Sequence, residues 1–354
     1  MDDLQLLREM RSDIGSAPPA TLARGRNNLM SKIGSTSRPE ATTRTHAPAK
    51  VSPIRIRRRV LMASAAAALL VGGIVAADVV LPGQSGATAE AAEVLNNAAA
   101  ATIQTSDPVV GPGQYLKIET TAVYSAGSVA ADGTQTSWLD KTGGQVYVPA
   151  DRKREWVWNR EERVPLESSS KAAKAAAAEI RKADQGRPKG QPSIVGILRA
   201  PGGAFYGNKP TAIIGTPLTE AGSLPRDPRA LLNIIQERTK GAGPSPEMEA
   251  LITIADALRT GVIPADLRAA LYKAAALIPG VTVVDKQATL NGKTGTAIGI
   301  QSPDGGARQE IIIDPVTGLM IGERDVSLKA TADFPAGTAT SWTSVQTSVV
   351  NSAP

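Results

Sequence analysis

The chain of 354 residues has no cysteine, one histidine and two phenylalanines. The lack of cysteine excludes disulfides, thiolate metal sites, a cysteine nucleophile and lipid attachment through sulfur, while leaving both sides of a membrane open. The lone histidine, His46, lies in a Pro/Ser/Thr-rich stretch with no second ligand beside it, so neither a zinc site nor imidazole catalysis is expected. Aromatic residues are scarce, at 3% of the chain, and the first of them is Tyr115. A packed core is therefore expected only beyond that point. Acidic residues are few at the start: residues 1–59 hold 12 Lys and Arg against 5 Asp and Glu, leaving 27 basic and 28 acidic for the rest. The basic pI of about 9.5 thus belongs to the N-terminal arm, and no direct nucleic-acid partner is expected.

What the chain does have is one long apolar run. Val60 to Ala77 is 18 residues without a charge, about 27 Å of helix at ~1.5 Å per residue, close to the ~30 Å hydrocarbon layer. Arg55, Arg57, Arg58 and Arg59 abut its N-terminal end, whereas the far side continues through Asp78 into a neutral or acidic stretch. The asymmetry predicts a single-pass anchor over 60–81 with a cytoplasmic N-terminus and an extracytoplasmic domain over 82–354. A secretory signal is the competing reading, with "ATA" at Ala87–Ala89 as its cleavage site, but a 59-residue basic region is too long for one. The lipid bilayer is the first expected partner.

Before the anchor, Leu4, Leu7, Met10 and Ile14 recur at helical spacing, and Leu22, Leu29 and Ile33 repeat the pattern after "SAPPA". Two short amphipathic helices over 1–33 are implied, with too little apolar area to fold alone. They read either as a mobile arm or as a docking segment for a cytoplasmic regulator. Residues 34–59 form a disordered basic linker by composition.

Beyond the anchor the patterns change to those of an α+β domain. A helix is expected at Ala89–Ala101, then strands in "YLKIETTAVY", "GGQVYVP" and "KREWVWN". "KAAKAAAAEIRK" suits a solvated helix. Three further helices are predicted: 228–239 behind Asp227, 246–260 behind Ser245, and 264–277. Strands then resume to the end, turning at Asn291-Gly292, Gly305-Gly306 and Asp314-Pro315. Sheet, helices and sheet again predict a curved, half-barrel-like antiparallel sheet with helices on one face.

The hairpin "IIIDPVTGLMIGERD", with Asp314, Pro315, Thr317 and Gly318 at its turn, follows "PGVTVVDKQATLNGKTGTAIGI". Together they resemble the closing strands of the half-barrel domain of lipoprotein-sorting and sigma-regulator-binding periplasmic proteins (LolA/RseB-like). The whole layout, from "DDLQLLR" through the arginine-flanked anchor, is similar to a group of actinobacterial single-pass membrane proteins, some set beside extracytoplasmic-function sigma factors. The resemblance implies an anti-sigma-like role with a sigma factor as cytoplasmic partner. The chain has none of the His-x-x-x-Cys-x-x-Cys zinc motif of one large anti-sigma class.

Catalytic look-alikes do not survive their context. Ser168–Lys171 reads S-x-x-K, Tyr206–Asn208 reads Y-x-N and Lys293–Gly295 reads K-T-G, in the order of penicillin-recognising enzymes. The serine, however, fronts a helix built to face water, and "NGKTG" belongs to a hairpin turn. "GKT" lacks the first glycine of a P-loop, since Gln287 holds that place. No catalytic, metal or cofactor site is expected. The expectation is a non-enzymatic envelope sensor or ligand-binding protein. Its alternatives are a membrane-anchored carrier of lipid or lipoprotein and, third, an exported hydrolase. An apolar cavity between sheet and helices would favour the carrier.

Overall fold

The computed structural model describes residues 86–130, 132–185 and 195–354. The amphipathic segments, the linker, the four arginines and the apolar run lie outside the described residues. Among those described, no helix is long and apolar enough to cross a membrane.

The domain opens with α1 (Ala89–Thr105), where the Thr88 side chain accepts a bond from the Ala91 amide. There follow β1 (Tyr115–Val129), β2 (Gln135–Pro149), β3 (Glu155–Arg160), the two-residue β4 (Val164–Pro165), α2 (Lys171–Gln185) and β5 (Gly196–Pro201). A small ribbon, β6 (Thr211–Ile213) with β7 (Thr216–Pro217), leads to α3 (Pro228–Arg238), α4 (Pro246–Arg259) and α5 (Ala265–Ala275). The last five strands are β8 (Thr282–Leu290), β9 (Lys293–Gln301), β10 (Ala307–Ile313), β11 (Met320–Ser327) and β12 (Thr338–Val350). Asp227 and Ser245 cap α3 and α4 through bonds from the Ala230 and Met248 amides, as their positions ahead of proline predicted.

One open antiparallel sheet of ten strands carries the fold, in the order β5-β3-β2-β1-β12-β11-β10-β9-β8, with β4 beside β2. β8 to β12 form a meander, turning at Asn291 and Gly292, both of positive φ. Period-two alternation sorts the side chains. Ile298, Ile300, Ile311, Ile313 and Met320 join the main core with the helices, while Ala297, Ile312, Ile321, Ala288 and Leu290 form a smaller cluster on the other face. α5 is the most deeply sunk helix: Leu267, Leu271, Tyr272, Ala274 and Ala275 are all at 0% exposure.

One expectation changes. α2 is not wholly solvated, because Ala173 and Ala177, four residues apart, are buried against Trp138 of β2. Alanine there lets the indole lie flush on the helix, and the cluster stands apart from the main core.

Candidate functional site

β11 and β12 separate before they end. Their register runs to Gly322 opposite Ser344 and stops, so Met320 and Ile321 have no partner on β12. Val345 to Val350 continue, paired with Thr120 to Tyr115 of β1 alone. At this last pair Gly322 brings β11 unusually close: a Cβ there would stand 2.2 Å from the Thr343 oxygen and 2.5 Å from Leu290. Beyond this pinch the β8–β9 hairpin leans in, and Asn291 donates from Nδ2 to Ser344 Oγ at 3.0 Å.

The fork opens into a cavity of about 460 Å³ between sheet and helices. Leu116, Val148, Leu258, Val262, Ile263 and Val345 make its apolar wall. Two guanidiniums line the cavity beside them and bond consecutive carbonyls of the α4–α5 loop. Arg152, exposed in the β2–β3 turn, donates to the Val262 carbonyl at 3.1 Å. Arg268 of α5 is buried and donates to the next carbonyl, Ile263, at 2.5 Å, to Thr102 Oγ1 at 2.9 Å and to Asp107 Oδ1 at 2.7 Å. Asp107 uses its second oxygen to accept from the Ala265 amide at 3.0 Å, capping α5 from a distant part of the chain. The loop forming one wall is therefore clamped by charge-assisted bonds from three segments.

The hairpin Asp314–Gly318 closes the same end. Asp314 Oδ1 accepts from the Val316 amide at 2.9 Å and the Thr317 amide at 3.4 Å, and Asp314 and Thr317 face the cavity. Thr105 Oγ1 donates to the Thr317 carbonyl at 3.0 Å. Gly318 has φ +66°, and a Cβ on it would lie 2.3 Å from the Ala98 oxygen, so only glycine lets the turn rest on α1. Pro315 sits exposed at the tip. Of the residues singled out in the sequence, these bring a structural turn to the cleft, not reactive groups. Lys293, from the K-T-G fragment, also lines the cavity, whereas Ser168 is exposed in the turn before α2 and does not. Among the described residues no cluster of three metal-ligating side chains occurs.

Sequence reading missed Arg268, Asp107 and Arg152. For Arg268 a signal existed: it shares the stripe of Leu267, Leu271 and Tyr272, where a cation has to be paired. The Arg268–Asp107 pairing spans 161 residues and has no local signature.

A second polar group lies at the pinch. Glu323, beside Gly322, faces Arg259 of α4 at 2.8 Å and accepts from Gln309 Nε2 at 3.3 Å. Burial drives its carboxyl up to about 7, Arg259 opposing the shift and Asp256 and Asp325 adding to it. Asp325 is raised for the same reasons, burial first and Asp256 second. Glu310, at 0% exposure, lies between Arg308 at 2.7 Å and Arg324 on the opposite face of the sheet.

No family model and no curated protein matches this chain. Among solved structures, a DUF1329 family protein from Desulfovibrio piger is similar at 9% identity and a TM-score of 0.17, over 73% of this chain and 92% of that one. A likeness that weak carries no argument about fold or function.

Proposed function

We propose that this is a single-pass membrane protein, non-enzymatic, whose extracytoplasmic domain binds an envelope ligand in the cleft at the fork, and whose N-terminal helices engage a cytoplasmic regulator such as a sigma factor. The observation that carries the reading is the cleft itself: a cavity of several hundred Å³ with an apolar wall and cations at its rim, the usual make-up of a ligand site. Compartment rests on the sequence. Four arginines hold one end of the apolar run in the cytoplasm, and the half-barrel-like domain follows on the other side.

The chain's freedom from cysteine makes the topology directly testable. A single cysteine at Val316, which is 82% exposed, should react with a membrane-impermeant maleimide in intact cells. Reaction only after lysis would end the proposal. Native mass spectrometry of the full-length protein, gently extracted from its membrane, should show a retained small molecule that disappears in Val148→Trp, whose indole fills the cavity.

The apolar part of the lining also favours a second reading, a carrier of lipid or lipoprotein. The two separate on one comparison. A carrier keeps its whole activity when residues 1–33 are removed, whereas a sensor still binds ligand but no longer co-purifies with its regulator.

A further inference from the structure

The cleft is lined by strand edges as well as by the sheet face that carries Leu116 and Val148. A strand that turns its face to a cavity contributes alternate residues. Here β12 contributes three consecutive ones, Val345, Gln346 and Thr347, and the β11 side contributes Leu319, Met320 and Ile321. Both are stretches with no β11–β12 ladder between them. A smaller cavity of about 50 Å³ shares Lys293, Ile321, Val345 and Gln346 with the large one, so the separation is felt beyond the main chamber. Two parted edges offer main-chain donors and acceptors of the kind that proteins otherwise pair or cover.

The charges at the fork have a definite sign. Of the two carboxylates that line it, Asp107 is bonded to Arg268 and to the α5 terminus, and Asp314 is occupied by its own turn. The Lys293 ammonium forms no hydrogen bond or ion pair among the described residues, and the Arg152 guanidinium donates only to the Val262 carbonyl. Two cations therefore remain for a ligand.

We propose that the cleft takes an extended peptide, added as a strand at the fork between β11 and β12, with a peptide carboxylate held by Lys293 and Arg152. This rests on the cleft being the ligand site and names its class of ligand. An acyl chain would fill the apolar wall but leave the strand edges unpaired. A peptide backbone meets both needs, its amides pairing along β12 in the manner of strand addition and its alternate side chains entering the apolar chamber.

The test uses full-length protein in nanodiscs and three probes: a random hexapeptide pool with free carboxyl termini, the same pool amidated, and palmitate. Hexapeptides should be retained, and amide exchange should slow at Leu319–Ile321 and Val345–Val350. N-methylation of alternate amides in a retained peptide should weaken binding at least tenfold, and Lys293→Gln, a change at an exposed side chain, several-fold. Retention from the free pool alone assigns the carboxylate to the peptide terminus; retention of Asp- or Glu-bearing peptides from the amidated pool assigns it to a side chain. Retention of palmitate alone, with edge exchange unchanged, overturns strand addition and leaves the ligand-binding reading standing. If no probe is retained, and the extracted protein also carries no ligand, both fall.

Discussion

Replacing Glu323 by glutamine should remove a pH dependence that the buried carboxylate imposes on the whole domain. The group is held at about 7 against an ordinary 4.5, because burial outweighs the attraction of Arg259. A carboxyl raised in the folded state binds its proton more tightly there than in the unfolded chain. Its contribution is therefore fully present below about 4.5 and is lost as pH climbs through 7. A displacement of two and a half pH units, at ~1.4 kcal/mol each, amounts to about 3 kcal/mol. Urea unfolding followed by tryptophan fluorescence, at steps from pH 4.5 to 7.5, should show the wild type losing stability relative to Glu323→Gln by roughly that amount. Asp325, raised in the same direction, leaves both proteins a residual slope of the same sign. Identical slopes for wild type and variant would refute the reasoning, since the carboxylate would then be no worse solvated folded than unfolded.

Three further outcomes are expected. Tyr272 is fully buried and its hydroxyl has no hydrogen-bond partner among the described residues, so Tyr272→Phe should raise stability by about 1 kcal/mol; a loss would reveal an ordered water on that oxygen. Gly322→Ala should cost about 2 kcal/mol or more, because its methyl collides with the Thr343 carbonyl and Leu290 at the pinch; an unchanged urea midpoint would mean that the strands separate freely there. Ala173→Glu should strip α2 from Trp138 and shift tryptophan emission to the red while the main core still unfolds cooperatively, because Ala173 is 1% exposed in a cluster of its own.

Much of the fold was legible because its signals are local. Asp227 and Ser245 announce α3 and α4 by side-chain chemistry three residues away, and the dipeptide Asn291-Gly292 names its own turn. α2 was misread in part because an Ala/Lys pattern looks equally polar on every face until an indole from β2 selects one. The short pieces β4, β6 and β7 carry no period long enough to detect. The cleft was out of reach for a different reason. Its walls come from the end of α1, the β2–β3 turn, the α4–α5 loop, the β10–β11 hairpin and the tail of β12. Only the register of β12 against β1, with its pairing to β11 stopping at Gly322, brings them together.

The last strand of the described domain is the one that unites the sheet. β12 is seated between the strands that open the domain and the meander that precedes it, so until β12 has emerged the two halves of the sheet have no common seam. Joining β1 to β12 closes a loop of more than two hundred residues, a late and slow event by topology. A chain ending before Thr338 would lose the seam itself rather than a fringe, and would leave two unjoined sheets with bare edges prone to sticking.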